Sequence, residues 1–130
     1  MITGIGLDLV AVARVERMLA GHRERFLRRC FTAHEVLRPG DAEHLAGLLA
    51  AKEAAYKALG ASRGSGISWH HLEVCRDGPG SPPRLALHGP AGERAAELGV
   101  TRAHLSVTHH GGLAAAIVVL EAEPPESRQG

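Results

Sequence analysis

The sequence predicts an α+β fold, in which a small, mainly antiparallel sheet packs against one long helix and several shorter ones. The first observation is an alanine-rich stretch between Asp41 and Gly60, which has the composition of a long helix with a cap at each end. The second is an apolar strand at the N-terminus, and the third is a pair of apolar segments near the C-terminus separated by His-His-Gly-Gly. A parallel doubly wound sheet would need more alternation of strands and helices than this chain contains.

The first predicted element is a strand over residues 2–10. Its two faces differ, with Ile5, Leu7 and Leu9 on one face and Gly4, Gly6 and Asp8 on the other. Because glycine places no side chain on the strand surface, the face of Asp8 has room for a second backbone or for a ligand.

Four helices are predicted in the first half of the chain. The first covers residues 13–19, and a short arginine-rich helix follows it. The third runs from residue 32 to about residues 38–40, and the fourth covers residues 41–59. Thr32 and Glu35 have the spacing of a capping box, in which each side chain bonds the backbone N–H of the other residue. Asp41 is the expected N-cap of the long helix, and Gly60 is its expected C-terminal cap.

Beyond the long helix, the chain is expected to alternate short elements with turns. The predictions are a flexible connection over 61–68, strands over 72–76 and 84–87, a helix over 90–98, and a hairpin of strands 103–108 and 113–120. Pro90 suits the first turn of its helix, and Gly99 suits the cap. Residues 1–122 are therefore predicted to form a single domain, and residues 123–130 a disordered tail with nothing to bury.

Composition disfavours several classes of protein. A formal net charge of +1 over 130 residues argues against a general nucleic-acid binder, which needs a strongly basic surface. The sequence has no apolar run of membrane-spanning length and no signal-peptide pattern, so we expect a cytoplasmic protein without membrane contact. Cys30 and Cys75 lack metal-ligand spacing and are expected to be reduced. Aromatic residues are few, so the core must be lean, which makes oligomerisation plausible.

Acidic residues in two apolar elements suggest a metal site. Asp8 lies in the N-terminal strand and Glu53 in the alanine-rich helix, and carboxylates from two such elements can converge on a hard cation such as Mg²⁺. Lys57 lies one helical turn after Glu53, on the same face. The alternative is that Glu53 and Lys57 form an ordinary exposed ion pair and that Asp8 lies at an exposed edge.

Several motifs occur together in one order along the chain. They are Gly4-Ile5-Gly6-Leu7-Asp8-Leu9-Val10 with Arg14, Phe31-Thr32-Ala33-His34-Glu35, Lys52-Glu53-Ala54, Lys57-Ala58-Leu59-Gly60, Trp69-His70-His71-Leu72-Glu73-Val74 and Leu105-Ser106-Val107-Thr108-His109. In these motifs the chain resembles the holo-acyl-carrier-protein synthase family of phosphopantetheinyl transferases, over about residues 2–121. A lone Lys-Glu-Ala triplet is common, whereas the ordered combination is specific.

The resemblance implies transfer of the 4'-phosphopantetheine group from coenzyme A to a serine hydroxyl of apo acyl carrier protein, with release of 3',5'-ADP. It also implies the phosphopantetheinyl transferase fold and a homotrimer with active sites at the subunit boundaries. Asp8 and Glu53 would hold Mg²⁺, and Lys57 would contact the phosphates of coenzyme A. Glu53, directly or through a metal-bound water, is the candidate base for the serine hydroxyl.

Ser106, Thr108 and His109 match a Ser-x-Ser-His pattern of the family, which resembles a binding wall for the nucleotide end of coenzyme A. Threonine here replaces the second serine and keeps the hydroxyl. A larger departure is that residues 48–49 are both leucine, where the family usually has an arginine and an aromatic residue. Arg63 is a candidate to compensate. The alternative that follows is a divergent, non-catalytic module that binds a carrier protein or coenzyme A.

A basic stripe of Arg14, Arg17, Arg25 and Arg28 follows the first strand. The family resemblance places Arg14 at a contact with the carrier protein, and acidic carrier proteins are steered by such a stripe. The alternatives are a solvated helix face and a nucleic-acid surface, which the near-neutral charge disfavours. The carrier proteins of fatty-acid, polyketide and peptide synthesis all remain candidate partners.

Overall fold

A computed structural model describes residues 1–36 and 41–125 of the chain. Over these residues the elements are β1 (Ile2–Ala11), α1 (Val12–Cys30), α2 (Ala42–Ala58), β2 (Leu72–Cys75), β3 (Arg84–Leu87), α3 (Gly89–Glu97), β4 (Val100–His110) and β5 (Leu113–Ala122). Two single-turn 3-10 helices, Arg63–Ser65 and Trp69–His71, lie between α2 and β2. The predicted α+β fold is confirmed, and within the described part of the chain no helix is long and apolar enough to cross a membrane.

Both sheets are antiparallel. The main sheet has the strand order β1-β5-β4, so its central strand comes last in the chain, and β2 pairs with β3 in a separate two-stranded sheet. The predicted C-terminal hairpin is present and is longer than expected, because β4 and β5 pair from Val100 and Ala122 up to the turn. Gly111 and Gly112 form that turn with φ angles of +54° and +77°, which other residues rarely adopt.

The long helix α2 covers one face of the main sheet. Its close approach depends on two glycines of β1. A Cβ atom at Gly4 would collide with the carbonyl oxygen of Ala58, and one at Gly6 would collide with that of Ala54. The room predicted on the Asp8 face of the strand is therefore filled by helix backbone, which brings Asp8 directly beside α2.

The opposite face of the main sheet is apolar and exposed. Ile5, Leu7 and Leu9 point away from α2, and Leu9 is 62% exposed. Ile117, which pairs with Leu7, continues this patch onto β5 and is also exposed. Monomeric proteins rarely expose a contiguous apolar face of this kind, so this sheet face is a candidate interface.

Helix α1 consists of two helical segments that meet at a kink, as the sequence predicted. His22 has non-helical torsion angles (φ −145°, ψ 46°), with helix on both sides. Val15 and Phe26 are buried against the rest of the fold. The four arginines of the predicted basic stripe are all exposed along this one helix.

The capping-box residues form a turn instead of starting a helix. The predicted reciprocal bonds are present, since the Glu35 N–H donates to the Thr32 hydroxyl at 3.3 Å and the Thr32 N–H donates to the Glu35 carboxylate at 2.8 Å. The segment stays a turn because the other carboxylate oxygen of Glu35 accepts the N–H of Val74 and holds the segment against β2. The predicted end of this helix, residues 38–40, and the tail over residues 126–130 lie outside the described residues.

A buried ion pair joins this turn to α2. Lys52 is 0% exposed, and its Nζ lies 2.7 Å from Oε1 of Glu35. The ammonium group also donates to the carbonyl oxygens of Trp69 at 2.8 Å and Leu72 at 2.9 Å, so all three of its N–H groups are engaged. Burial lowers the pKa of Lys52, and the Glu35 carboxylate opposes that shift. The pair ties α2 to the segment before β2.

Candidate active site

Asp8 and Lys57 meet where β1 crosses α2. The Nζ atom of Lys57 lies 2.7 Å from Oδ1 of Asp8 and also donates to the carbonyl oxygen of Leu7 at 3.1 Å. Its hydrogen bond with Asp8 raises the pKa of Lys57. The Asp8 side chain is 13% exposed and that of Lys57 is 55% exposed. The fold therefore fixes the carboxylate, and the ammonium group reaches it from the solvent side.

Glu53 brings a second carboxyl group to the same place, one helical turn before Lys57. Burial raises the pKa of Glu53 to about 7, with further contributions from hydrogen bonding with Asp8 and from the charge of Asp8. Arg14, whose Nη2 is 3.9 Å from Oε1 of Glu53, and Lys57 both oppose this shift. The structure thus brings together Asp8, Glu53, Lys57 and Arg14 among the residues singled out from the sequence.

The two carboxyl groups fit a hard divalent cation. With both carboxyl groups ionised, no group of the described residues donates to the buried Oδ2 of Asp8, because a hydrogen bond between Glu53 and Asp8 needs a proton on one of them. A buried, unpaired carboxylate oxygen next to a second carboxyl group is unfavourable unless a cation or a proton binds there. Mg²⁺ commonly uses one or two protein carboxylates and takes its other ligands from water and substrate phosphates. Residues 1–36 and 41–125 contain no cluster of three or more His, Cys, Asp and Glu suited to a metal.

A cleft of about 910 Å³ opens between α1 and the two 3-10 helices. Four arginines contribute to its lining, namely Arg25, Arg28, Arg29 and Arg63. Apolar and aromatic side chains line the same cleft, including Phe26, Tyr56 and Trp69, and the rings of Tyr56 and Trp69 lie 5.5 Å apart. Arg25 and Arg28 of the predicted stripe are therefore at the cleft, and Arg17 is exposed on α1.

A smaller pocket of about 100 Å³ adjoins this cleft. Arg14 and Glu53 line it, and Met18, Cys30 and Trp69 line both spaces. Burial raises the pKa of the Cys30 thiol, so Cys30 is a poor nucleophile. We therefore assign it a role in lining the pocket and none in the chemistry. The cleft and the pocket that Glu53 lines thus share part of one wall.

The predicted nucleotide-binding wall is not assembled with the carboxyl groups in one copy of the chain. Ser106 pairs with Ile117, so it lies on the exposed apolar face of the sheet, as does Thr108. Asp8 lies on the opposite face, against α2. His109 is also on the α2 side, where its Nε2 atom is 3.0 Å from the carbonyl oxygen of Glu43.

Glu35, Lys52 and Trp69 belong to the motifs quoted from the sequence, but sequence reasoning missed the buried contacts of Lys52 with the Glu35 carboxylate and the Trp69 carbonyl oxygen. The burial of Lys52 could have been recognised from its neighbours in the sequence. The nearest alanines before and after it in α2 are all buried. A lysine surrounded by such a pattern needs a buried partner. Residues 48–49, the leucines that depart from the family pattern, are buried in the core. Arg63, the proposed compensating residue, lies at the cleft.

Comparisons with known proteins agree with one another. A family model described as the 4'-phosphopantetheinyl transferase superfamily matches residues 4–118. The holo-acyl-carrier-protein synthase of Solidesulfovibrio magneticus is 47% identical over 123 residues, which make up 93% of this chain and 99% of that protein. The crystal structure of the Helicobacter pylori holo-acyl-carrier-protein synthase in complex with coenzyme A is 30% identical, with a TM-score of 0.78 over 90% of this chain and 99% of that one. A crystal structure of the Bacillus anthracis enzyme of the same name, in complex with coenzyme A (3',5'-ADP), is 34% identical, with a TM-score of 0.72 over 95% and 99% of the two chains.

Proposed function

Because the chain belongs to the 4'-phosphopantetheinyl transferase superfamily, we propose that Asp8, Glu53 and Lys57 form its catalytic centre. The chain is a phosphopantetheinyl transferase, which transfers the 4'-phosphopantetheine group from coenzyme A to apo acyl carrier protein. The observation that best supports this centre is the junction of β1 and α2, where two carboxyl groups and one ammonium group converge.

Glu53 is the proposed general base. A serine hydroxyl is a weak nucleophile and needs a base, and Glu53 is the carboxyl group that lies beside both Asp8 and Lys57. The serine oxygen bonds the phosphorus that carries pantetheine, the pyrophosphate bridge breaks, and 3',5'-ADP leaves with the electron pair of that bond. Lys57 is placed to stabilise the negative charge on the leaving phosphate. Mg²⁺ held by Asp8 and Glu53 would neutralise the charge of the pyrophosphate.

The direct test is transfer to a defined partner. The chain is incubated with apo acyl carrier protein, coenzyme A and Mg²⁺, and the carrier is analysed by intact mass spectrometry. We expect the carrier to gain the mass of one phosphopantetheine group, at its serine. A chain that binds coenzyme A and carrier protein without forming this adduct would instead be the non-catalytic module.

The active unit is proposed to be a homotrimer with active sites at the subunit boundaries. The exposed apolar face of β1 and β5 supports association, because covering it removes apolar surface from water. Ser106 and Thr108 lie on that face, away from Asp8 of their own chain. In an assembly, Ser106 and Thr108 of one copy and His109 of a neighbouring copy are proposed to form the nucleotide-binding wall, because His109 lies on the opposite face of the sheet within one chain.

Ile117→Glu should break this assembly. The substitution places a charge in the middle of the apolar face, where Ile117 pairs with Leu7 on one side and Ser106 on the other. Light scattering after size-exclusion chromatography should give about three times 13.7 kDa for the wild type and a smaller mass for the variant. Ala13→Glu, an equal change at an exposed position of α1, should leave the mass unchanged. A monomeric wild type would contradict the trimer.

Carrier-protein docking is assigned to α1 and the cleft beside it. Arg14, Arg17, Arg25 and Arg28 are exposed on one helix of a chain with a net charge of only +1. Such segregation of charge favours an acidic partner, and the aromatic lining of the cleft offers apolar contacts to the same partner. The carrier's serine is proposed to reach Glu53 beside this docking surface, where Arg14 and Glu53 line one small pocket.

Arg14→Glu should weaken binding of the carrier protein and leave the affinity for coenzyme A nearly unchanged. Higher salt should weaken the wild type in the same way, because exposed charges are screened over about 8 Å at physiological ionic strength. Steady-state titrations of carrier protein at two salt concentrations measure both effects. The matched control is Arg23→Glu, the same change at another exposed position of α1, which should have a smaller effect. A carrier affinity that is indifferent to salt and to Arg14→Glu would rule out this docking surface.

A further inference from the structure

The ammonium group of Lys57 occupies one oxygen of the carboxylate that is proposed to hold the divalent cation. Its Nζ atom is 2.7 Å from Oδ1 of Asp8, and its second acceptor, the carbonyl oxygen of Leu7, belongs to the same strand. Two cations repel strongly at such distances where water is partly excluded. A divalent cation that binds the Asp8 carboxylate, at Oδ1 or at the unpaired Oδ2 beside it, is therefore repelled while Lys57 remains in place.

Of the two partners, Lys57 is the one that can move. Its side chain is 55% exposed, has a flexible four-carbon stem and lies in the last turn of α2. Asp8 is 13% exposed, sits in the paired part of β1, and has a buried Oδ2 atom. Ion pairs with one exposed partner are weak, so a competing anion can draw the ammonium group away.

We propose that Lys57 blocks the divalent-cation site of the free chain and is drawn off Asp8 by the pyrophosphate of coenzyme A, so that cation and coenzyme A bind cooperatively. The inference rests on the proposed function, since it takes Asp8 and Glu53 as ligands and coenzyme A as the source of phosphate. The pyrophosphate gives the ammonium group a new partner, and the cation takes its place at Asp8. By linkage, each ligand then raises the affinity of the other by the same factor.

Arg14 differs from Lys57 in a way that provides a control. Its guanidinium group lies 3.9 Å from Glu53, beyond hydrogen-bond distance, and it contributes positive charge without occupying a carboxylate oxygen. Replacing either Lys57 or Arg14 with a neutral residue makes the site more negative. Only the removal of Lys57 also vacates the oxygen of Asp8.

The test is a titration of the full chain with Mn²⁺ in the absence of coenzyme A, with free Mn²⁺ followed by electron paramagnetic resonance. Lys57→Met should bind Mn²⁺ roughly two- to fivefold more tightly than the wild type, the effect expected for release of a half-exposed ion pair. Arg14→Met should give a smaller gain. Saturating coenzyme A should tighten Mn²⁺ binding to the wild type and should tighten it by a smaller factor in Lys57→Met.

Mn²⁺ binding to Lys57→Met that is no tighter than to the wild type would overturn the proposal, and so would an equal gain from Arg14→Met. Thermal melting confirms that each variant is folded, and Lys57→Gln serves for the same comparison if the methionine variant is not. Direct titration with coenzyme A distinguishes a failure of the proposed function from a failure of the role proposed for Lys57. A wild type that binds no coenzyme A would refute the proposed function, whereas normal coenzyme A binding without the predicted Mn²⁺ effects refutes the role of Lys57 alone.

Discussion

Replacing Lys52 with methionine should lower the free energy of unfolding by about 3–5 kcal/mol, the size expected when one partner of a buried ion pair is removed. In the native chain the ammonium group is shared by Glu35 and two backbone carbonyl oxygens. Methionine has a similar length but no charge, so the carboxylate of Glu35 would stay buried with only the N–H groups of Thr32 and Val74 as donors. Urea denaturation at one fixed protein concentration measures the change, because the stability of an oligomer depends on concentration.

Two further variants separate the buried pair from a general effect of losing a lysine. Lys57→Met makes the same chemical change at an exposed position of α2, and it should alter the free energy of unfolding far less than Lys52→Met does. The double change Lys52→Met with Glu35→Leu removes both charges, so it should be less destabilising than Lys52→Met alone. Equal stability of Lys52→Met and Lys57→Met would contradict the role given to the pair.

Elements specified by neighbouring residues were predicted well. Asp41 caps α2 as expected, and its carboxylate accepts the N–H of His44 at 3.0 Å. Gly60 follows the end of that helix with φ +62°, and Gly99 follows α3 with φ +71°. These caps and the alternation of apolar residues in β4 and β5 are local signals, so they can be recognised without knowing the rest of the fold.

Contacts between distant segments could not be predicted in the same way. The capping box at Thr32 predicted a helix, and the bond of Glu35 to Val74 in β2 held the segment as a turn. The glycines of β1 predicted room for a second backbone or a ligand on the Asp8 face, but the sequence did not show that α2 would fill it. Packing of α2 against the glycines fills this room, and it leaves the apolar face of β1 uncovered in a single copy. The separation of Ser106 from Asp8 has the same cause, because residues on opposite faces of a sheet cannot share a site within one chain.

Asp8→Ala and Glu53→Ala should each lower turnover at least about a hundredfold at saturating coenzyme A and Mg²⁺, as expected for loss of a group that acts on transition-state charge. Neither change should unfold the chain. Closeness to Asp8 contributes to the raised pKa of Glu53, so removing either carboxyl group relieves an unfavourable interaction in the native state. Initial rates of adduct formation by mass spectrometry measure turnover, and circular dichroism checks the fold. Glu16→Gln, at an exposed carboxylate of α1, should keep the wild-type rate.

The same two variants should also lose the stabilisation that Mg²⁺ gives to the wild type, measured as a shift in melting temperature. The pKa of Glu53 is raised to about 7, above its ordinary value, so without a cation its contribution favours the folded state at low pH and declines as pH rises through 7. Mg²⁺ binding has the opposite dependence, because a protonated carboxyl group is a poor ligand. The melting-temperature shift should therefore be larger at pH 8 than at pH 6 in the wild type and small at both in the variants. Turnover that persists in excess chelator would exclude a divalent cation at Asp8 and Glu53.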